Sequence, residues 1–499
     1  MTSYSSASGN HLFDNRAIAL GFACIVAATA FVAYTSAVLV AIVIGVILLA
    51  LRWLIPARLE LWQALMITSV AGFMILNYGF ENLIVARIGG VPLLIGEFLM
   101  LAGLLLAIHQ QGFNSVKPLA RDPAVRCFIL LFILAVCHLA VDVPRYGLYA
   151  VRDASLYFEA IFLAAGYLWA SHKNGIRRFL QCLLVVFALN VLYSFTLPVS
   201  ESLQAASPKS GVFQPIALFG QYQQIGLYLV AGAMLCTWLA DYTTKGSRWI
   251  LFTLALAQLC GLAVTQNRSM YLGIVIIFAA LFILRERRKL RRFAAIVGAG
   301  VVAMVTLLVA FTFLGITIRG RVGEINADFL QEYALSVLSV DNSNSRLAQD
   351  DDRVDWLRQT WQNTASDPAT LLVGQGFGLP LIEFETENGV PVRQPHNAAM
   401  GVFGRLGVAG LCTWLLFQLI LFKRFIKALR TNQPRESHDL VLWLLVFYIL
   451  AFVMSMVQPA LEFSHFAVPL YFVVGFALKV LDNTLQTSRA NLPIPLVSR

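Results

Sequence analysis

Apolar runs close to the length of a bilayer-crossing helix recur along the chain, separated by short polar stretches. A run of about 20 apolar residues is what a helix needs to cross the hydrocarbon core. About fourteen such runs are legible. They fall near 17–34, 37–53, 61–78, 91–108, 124–141, 150–170, 178–197, 222–240, 248–265, 270–284, 294–316, 397–422, 439–457 and 465–481. The pattern predicts an all-α polytopic integral membrane protein. One polar stretch, 317–396, is much longer than the others. Residues 1–16 are polar, and the run after them can serve as an uncleaved anchor.

Composition agrees with that pattern. Of 499 residues, 59% are hydrophobic and 13% charged, against roughly 25% charged in soluble domains. The net charge of +10 would suit a nucleic-acid partner, but the basic stretches lie tightly between apolar runs, so no nucleic acid is expected. They are "HKNGIRR" (172–178), "RERRKLRR" (285–292) and "KRFIKALR" (423–430). Short loops rich in lysine and arginine stay in the cytoplasm. Placing all three inside makes the alternation work for every span and leaves both termini in the cytoplasm. The seven cysteines lie in or beside apolar runs with no CxxC pair, which argues against disulfide frameworks and zinc sites.

The opposite face then carries 79–90, 142–149, 198–221, 266–269 and 317–396. The last of these holds six arginines, no lysine and twelve acids, a net of 6 − 12 = −6. It is no general anion trap, so an anion site there must use particular arginines. Loops this long inside membrane proteins are commonly functional. "RVGEINADFLQEYALSVL" (321–338) has the spacing of an amphipathic helix on the membrane surface. "DDRVDWLRQTWQNTASDP" (351–368) predicts a second helix, with aspartates at its start and Pro368 just past its end.

Three places on this face offer chemistry. Arg268 lies in the tight turn of "TQNRSMYLG", against the positive-inside bias; the bland alternative is a snorkelling side chain. Arg353 and Trp356 share one helical face, though Arg353 can equally pair with Asp350 or Asp355. The "VGQGFG" after them (373–378) is a weak phosphate signal and more often a turn. His396 follows Pro395, which favours an extended approach and a helix start at His396 or Asn397; a lone histidine there can also be a hydrogen-bonding spacer. Together, arginine forks suit phosphate oxygens and a histidine accepts a proton near neutral pH. No HExxH or Cys/His cluster lies on this face, and the acidic run 350–352 reads more simply as a helix start than a cation site. No metal or cofactor is therefore expected. Arg393, Arg145 and Arg152 stand nearby, and Arg405 lies inside a span, where a charge is a functional hypothesis by default. Gly401, Gly404, Gly407 and Gly410 recur every third residue, as close helix packing requires.

The order of an "NRSMYLG" turn, a long loop with "DRVDWLRQTW…LLVGQGFG", and "PHNAAMGVFGRLGVAGL" resembles the O-antigen ligase and O-antigen polymerase superfamily. The resemblance covers roughly 215–425. It divides the chain into an N-terminal membrane bundle (1–214), a catalytic region (215–425, with the loop 317–396) and C-terminal spans with a short cytoplasmic tail (426–499). It implies a GT-C type glycosyltransferase of the bacterial inner membrane, acting on the periplasmic face. The donor would be a glycan on undecaprenyl diphosphate, and the acceptor lipid A-core for a ligase or another lipid-linked glycan for a polymerase. The family's histidine matches His396, and its diphosphate-contacting arginines match Arg268 and Arg353. Arg393, Trp356 and Arg145 join them as substrate-binding candidates. Partners of such an enzyme are membrane lipids, a flippase and a chain-length regulator. The span count exceeds the roughly twelve usual in the ligases, which leaves room for an exopolysaccharide polymerase. The rival reading, a lipid-glycan flippase or transporter, would put Arg405 and Glu97 along a central path and show repeated halves; no clear repeat is visible.

Overall fold

A computed structural model describes residues 59–88, 91–211, 215–220, 225–314, 352–385, 391–458 and 460–490. The first two predicted spans, the predicted amphipathic helix 321–338, and Asp350 and Asp351 lie outside the described residues.

The described chain is overwhelmingly helical, with three two-stranded hairpins. Its principal helices, leaving aside the short Tyr78–Glu81, Lys117–Ala120 and Ser200–Ala206, are in order α1 Leu61–Leu76, α2 Ile95–Gln111, α3 Pro123–Tyr146, α4 Leu148–Asp153, α5 Ser155–Glu159, α6 Phe162–Ser171 and α7 Gly175–Ser194. They continue with α8 Ile225–Leu239, α9 Lys245–Thr265, α10 Arg268–Ile283 and α11 Arg287–Phe313. The loop region supplies α12 Asp352–Thr364 and α13 Pro368–Val373. α14 Ala398–Leu429, α15 Arg435–Val457 and α16 Ser464–Ala490 close the order. Among the described residues, eight helices are long and apolar enough to cross a membrane, and α1, α2 and α10 are shorter apolar helices. The protein is a multi-pass membrane protein of all-α architecture.

Three expectations need correction. The run 150–170 is not one helix but three, α4, α5 and α6. Hydropathy averaged over a span does not register the breaks, because Asp153, Ser155 and Glu159 beside them are outweighed by the apolar residues of the same run. The run 91–108 opens as a strand, Val91–Leu94, paired with Ile84–Ile88. Pro368 begins α13 rather than simply following α12. Asp367 caps α13 by accepting from the amides of Ala369 and Thr370, the preferred N-cap arrangement with proline at the first helical position.

The helices pack α1 on α2, α8 on α9 and α3 on α14 as antiparallel pairs, while α6 and α16 run side by side in one direction, from the Glu159–Ser464 contact to the Tyr167–Asp482 contact. The core between them is aromatic and aliphatic, with Trp62, Trp169, Trp443 and Phe179 almost fully buried. Because successive helices alternate in direction, the connections sort to two ends. One end gathers all three basic stretches. There Asp241 pairs with Arg292 and Arg435, Lys289 with Asp439, and Arg424 with Asp122 and Asp482. Arg178 donates to Gln63, and His172 meets Glu60. The other end carries α12, α13, the hairpins and the starts of α10 and α14.

Candidate active site

α14 is the frame of this second end. Asn397 caps it: its side-chain oxygen accepts from the amide of Met400 at 3.0 Å, and its amide group donates to the carbonyl of Met456 at 2.9 Å. The helix therefore starts at Ala398, two residues after His396. His396 itself sits at φ 50°, in the left-handed region that few non-glycine residues occupy. Buried Pro395 precedes it, and the edge of its ring meets Trp356 of α12 with centroids 4.9 Å apart. Trp356 also packs on Phe384.

Ten residues into α14 the helix breaks. Gly407 has φ 61° and ψ −160°. A break of this kind frees carbonyls in the preceding turn. The stretch after α13 fills the gap: the amides of Gln375 and Gly376 donate to the carbonyls of Gly404 and Arg405 at 2.8 and 3.1 Å. Irregular backbone at membrane depth is tolerated where protein groups satisfy it, and here "VGQGFG" supplies them. Its glycines at 374, 376 and 378 all have positive φ. A Cβ on Gly374 would lie 2.3 Å from the backbone of Arg405, and one on Gly376 would lie 2.4 Å from Asp142. The motif is a turn built for close approach to α3 and α14.

Charged side chains clamp that turn. Asp142 accepts from the amide of Phe377 at 2.8 Å, and Asp153 from the amide of Gly378 at 3.0 Å. His138 bonds the carbonyl of Val373 at 2.8 Å. Arg405, 2% exposed, donates to the carbonyls of Gly376 and Leu379 and pairs with Asp153 at 2.8 Å. Arg393 donates to the carbonyl of Gly378 at 2.7 Å, pairs with Asp153 at 3.2 Å, and lies over the Tyr149 ring. Arg405 is thus a strut of the turn, not part of a path through the bundle. Glu97 lies in the first turn of α2, at this same end.

The predicted site residues are distributed as follows. His396 and Trp356 touch, and Arg353 lies three residues before Trp356, half-buried in the first turn of α12. Asp355 pairs with Arg358 at 2.8 Å. Arg268 is the first residue of α10, also half-buried. Its neighbour Ser269 reaches Met454 in the last turn of α15, the turn that Asn397 grips at Met456. Arg268 and His396 therefore flank one helix end. Arg393 is engaged with the turn, and Arg145 is exposed on the last turn of α3.

Four groups of this end escape sequence reasoning: Asp142, Asp153, Glu462 and His465. Asp153 could have been found, since an acid within an apolar run is costly unless it has a task. Glu462 lies in a short turn, Ala460–Glu462, between α15 and α16. Burial pushes its carboxyl up to about 8, a rise only partly offset by Arg405. His465, 2% exposed, meets Glu81 through Nδ1 at 2.5 Å.

No curated protein matches the chain. A family model does: residues 252–415 match the one described as O-Antigen ligase. The matched segment contains Arg268, Arg353, Arg393, His396 and Arg405. Over those residues, and in its bundle of apolar helices, the chain is similar to the O-antigen ligase family.

Proposed function

We propose that the protein is an inverting, metal-independent glycosyltransferase. It moves a glycan from undecaprenyl diphosphate, at the periplasmic face of a bacterial inner membrane, to a sugar acceptor. The reaction is that of an O-antigen or exopolysaccharide polymerase or of an O-antigen ligase. The observation that carries this reading is the O-antigen ligase match over 252–415, which encloses His396, Arg268 and Arg353.

In this reading the acceptor hydroxyl attacks the anomeric carbon while His396 takes its proton. The bond to the diphosphate oxygen breaks with inversion. Arg268 and Arg353 offset the charge that develops on the departing undecaprenyl diphosphate. Fixed positive groups aimed at such charge are often the largest catalytic contribution, about 3–4 kcal/mol for one donor, and proton removal adds a factor of about 10² to 10⁴. The helix start suits the donor, whose tail stays in lipid while its diphosphate lies at headgroup depth. Trp356 keeps the histidine ring in place, and Arg393 holds the turn beside it.

The test is transfer by purified protein in lipid, with lipid-linked glycan as donor. His396→Ala should lose transfer about 10² to 10⁴-fold while binding donor as before. Arg268→Ala should weaken both donor binding and turnover, and Arg268→Lys should restore only part, since an ammonium lacks the guanidinium fork. EDTA should leave transfer intact. Transfer by His396→Ala at the wild-type rate makes the histidine structural and overturns the mechanism.

A further inference from the structure

The turn Ala240–Tyr242, between α8 and α9, is a hub of positive charge at the end that gathers the basic stretches. Arg248 of α9 donates through Nε to the carbonyl of Ala240 at 3.0 Å. Arg288 and Lys289 of α11 lie 3.8 and 3.7 Å from the carboxylate of Asp241, and Arg292 pairs with it directly. Arg435 of α15 meets the same carboxylate at 2.8 Å. Five cations from three helices thus converge on one turn, and Lys289 also draws in Asp439.

The acids here point inward and the guanidinium groups outward. The side chains of Asp241 and Asp439 are 5% exposed, against 58% for Arg288 and 49% for Arg435. Residues 240–249, 285–292 and 434–439 hold nine lysines and arginines and four aspartates and glutamates, a net of 9 − 4 = +5 with His438 neutral. One of the four acids, Glu286, is engaged with His438 at 3.3 Å. Cations held this close repel one another and attract an anion.

Apolar surface adjoins these charges. Trp249 follows Arg248 and is 72% exposed. α11 packs beside α9 with 11% of its span buried, so the feet of the two helices are open to lipid. A tryptophan at the end of an apolar helix marks headgroup depth. A soluble anion would satisfy the arginines and leave the indole uncovered, whereas an anionic phospholipid covers both.

We infer that the feet of α9, α11 and α15 form a binding site for one anionic phospholipid, its phosphate held by Arg248, Arg288 and Arg435 and an acyl chain lying against Trp249. Basic pockets between membrane helices suit anionic headgroups. The bound lipid ties α11, otherwise little buried, to the rest of the bundle. The site lies at the opposite end from His396 and does not depend on the glycosyl-transfer reading.

The experiment uses the full-length protein in nanodiscs of phosphatidylcholine with a minor fraction of phosphatidylglycerol. Native mass spectrometry counts the phosphatidylglycerol that stays bound on release. Wild type should retain one molecule. The double variant Arg288→Gln, Arg435→Gln leaves Asp241 its Lys289 and Arg292 partners and should weaken retention at least about tenfold. Lys173→Gln with Arg177→Gln removes the same charge from exposed positions in another basic stretch and should retain the lipid as wild type does. Trp249→Ala, which leaves all of these ion pairs in place, should also weaken retention. Equal loss in the two double variants would show a diffuse field rather than a site and overturns the inference. Wild-type retention by Arg288→Gln, Arg435→Gln or by Trp249→Ala overturns it too. So does release of the lipid by soluble glycerol phosphate, which would make the headgroup alone the ligand.

Discussion

Asp153 shows how much one buried side chain can organise. Its Oδ2 meets the guanidinium groups of Arg393 and Arg405 and the amide of Gly378. Removing its charge would leave Arg405 buried without its counter-ion, and breaking a buried pair from one side costs about 3–5 kcal/mol. Asp153→Asn should therefore lower thermal stability by an amount in that range and hasten proteolysis within 373–379; an unchanged melting profile would show that the carbonyls alone hold Arg405. Glu462 makes a pH prediction. Asp153, Arg152, Arg393 and Arg405 act on it, but burial dominates and the folded carboxyl titrates at about 8. A carboxyl raised in the folded state contributes stability that is fully present below its ordinary range and is lost as pH rises through about 8. Melting temperature should fall as pH rises from about 5 to about 8 in wild type, level off above that, and fall less in Glu462→Gln. The sequence could offer His396, Arg268 and Arg353 because polar groups between apolar runs stand out. It could not offer Asp153 with Arg405, or Glu462 with Gly401, because those pairs come from distant segments that only packing brings together.

At the scale of elements, the break in α14 and the turn that fills it depend on each other. The glycine spacing 401, 404, 407 and 410 is legible in the sequence, but as packing. Three of the four do serve close approach: Gly401 to Glu462, Gly404 to Leu381 and Thr360, and Gly410 to Leu406 of its own helix. Gly407 differs, because its φ of 61° breaks the helix, and no periodicity distinguishes it from its neighbours. A Cβ there would lie 2.5 Å from the backbone of Leu372. Gly407→Ala should thus add backbone strain of about 1–3 kcal/mol together with a collision, detaching the turn that carries Gly374 to Gly378. Gly246→Ala, at the start of α9 with nothing near its Cβ position, is the control and should leave stability within about 1 kcal/mol of wild type. Limited proteolysis and thermal melting of the two variants make the comparison; equal behaviour would mean the break is not needed. The same logic explains why 150–170 was legible as apolar but not as three helices. Hydropathy reports what a segment is buried in, and the direction of the chain at each turn is set by the neighbours it meets.

Across the whole molecule, charge was the most legible property. The three basic stretches chosen from loop composition gather at one end, where Asp241, Asp439, Asp122 and Asp482 meet them. The polar turn, α12 and the start of α14 gather at the other. Short basic loops remain in the cytoplasm, so the end holding His396 should face the periplasm. Cysteine accessibility tests this directly. The native cysteines must first be replaced, since Cys137 and Cys412 are exposed. A single cysteine is then placed at Arg358 or at Arg288, whose side chains are 64% and 58% exposed. In intact spheroplasts a membrane-impermeant maleimide should label position 358 readily, and position 288 only after permeabilisation. The reverse pattern would put His396 in the cytoplasm. A donor presented at the periplasmic face could not reach it there, and the transfer reading would fall with the topology.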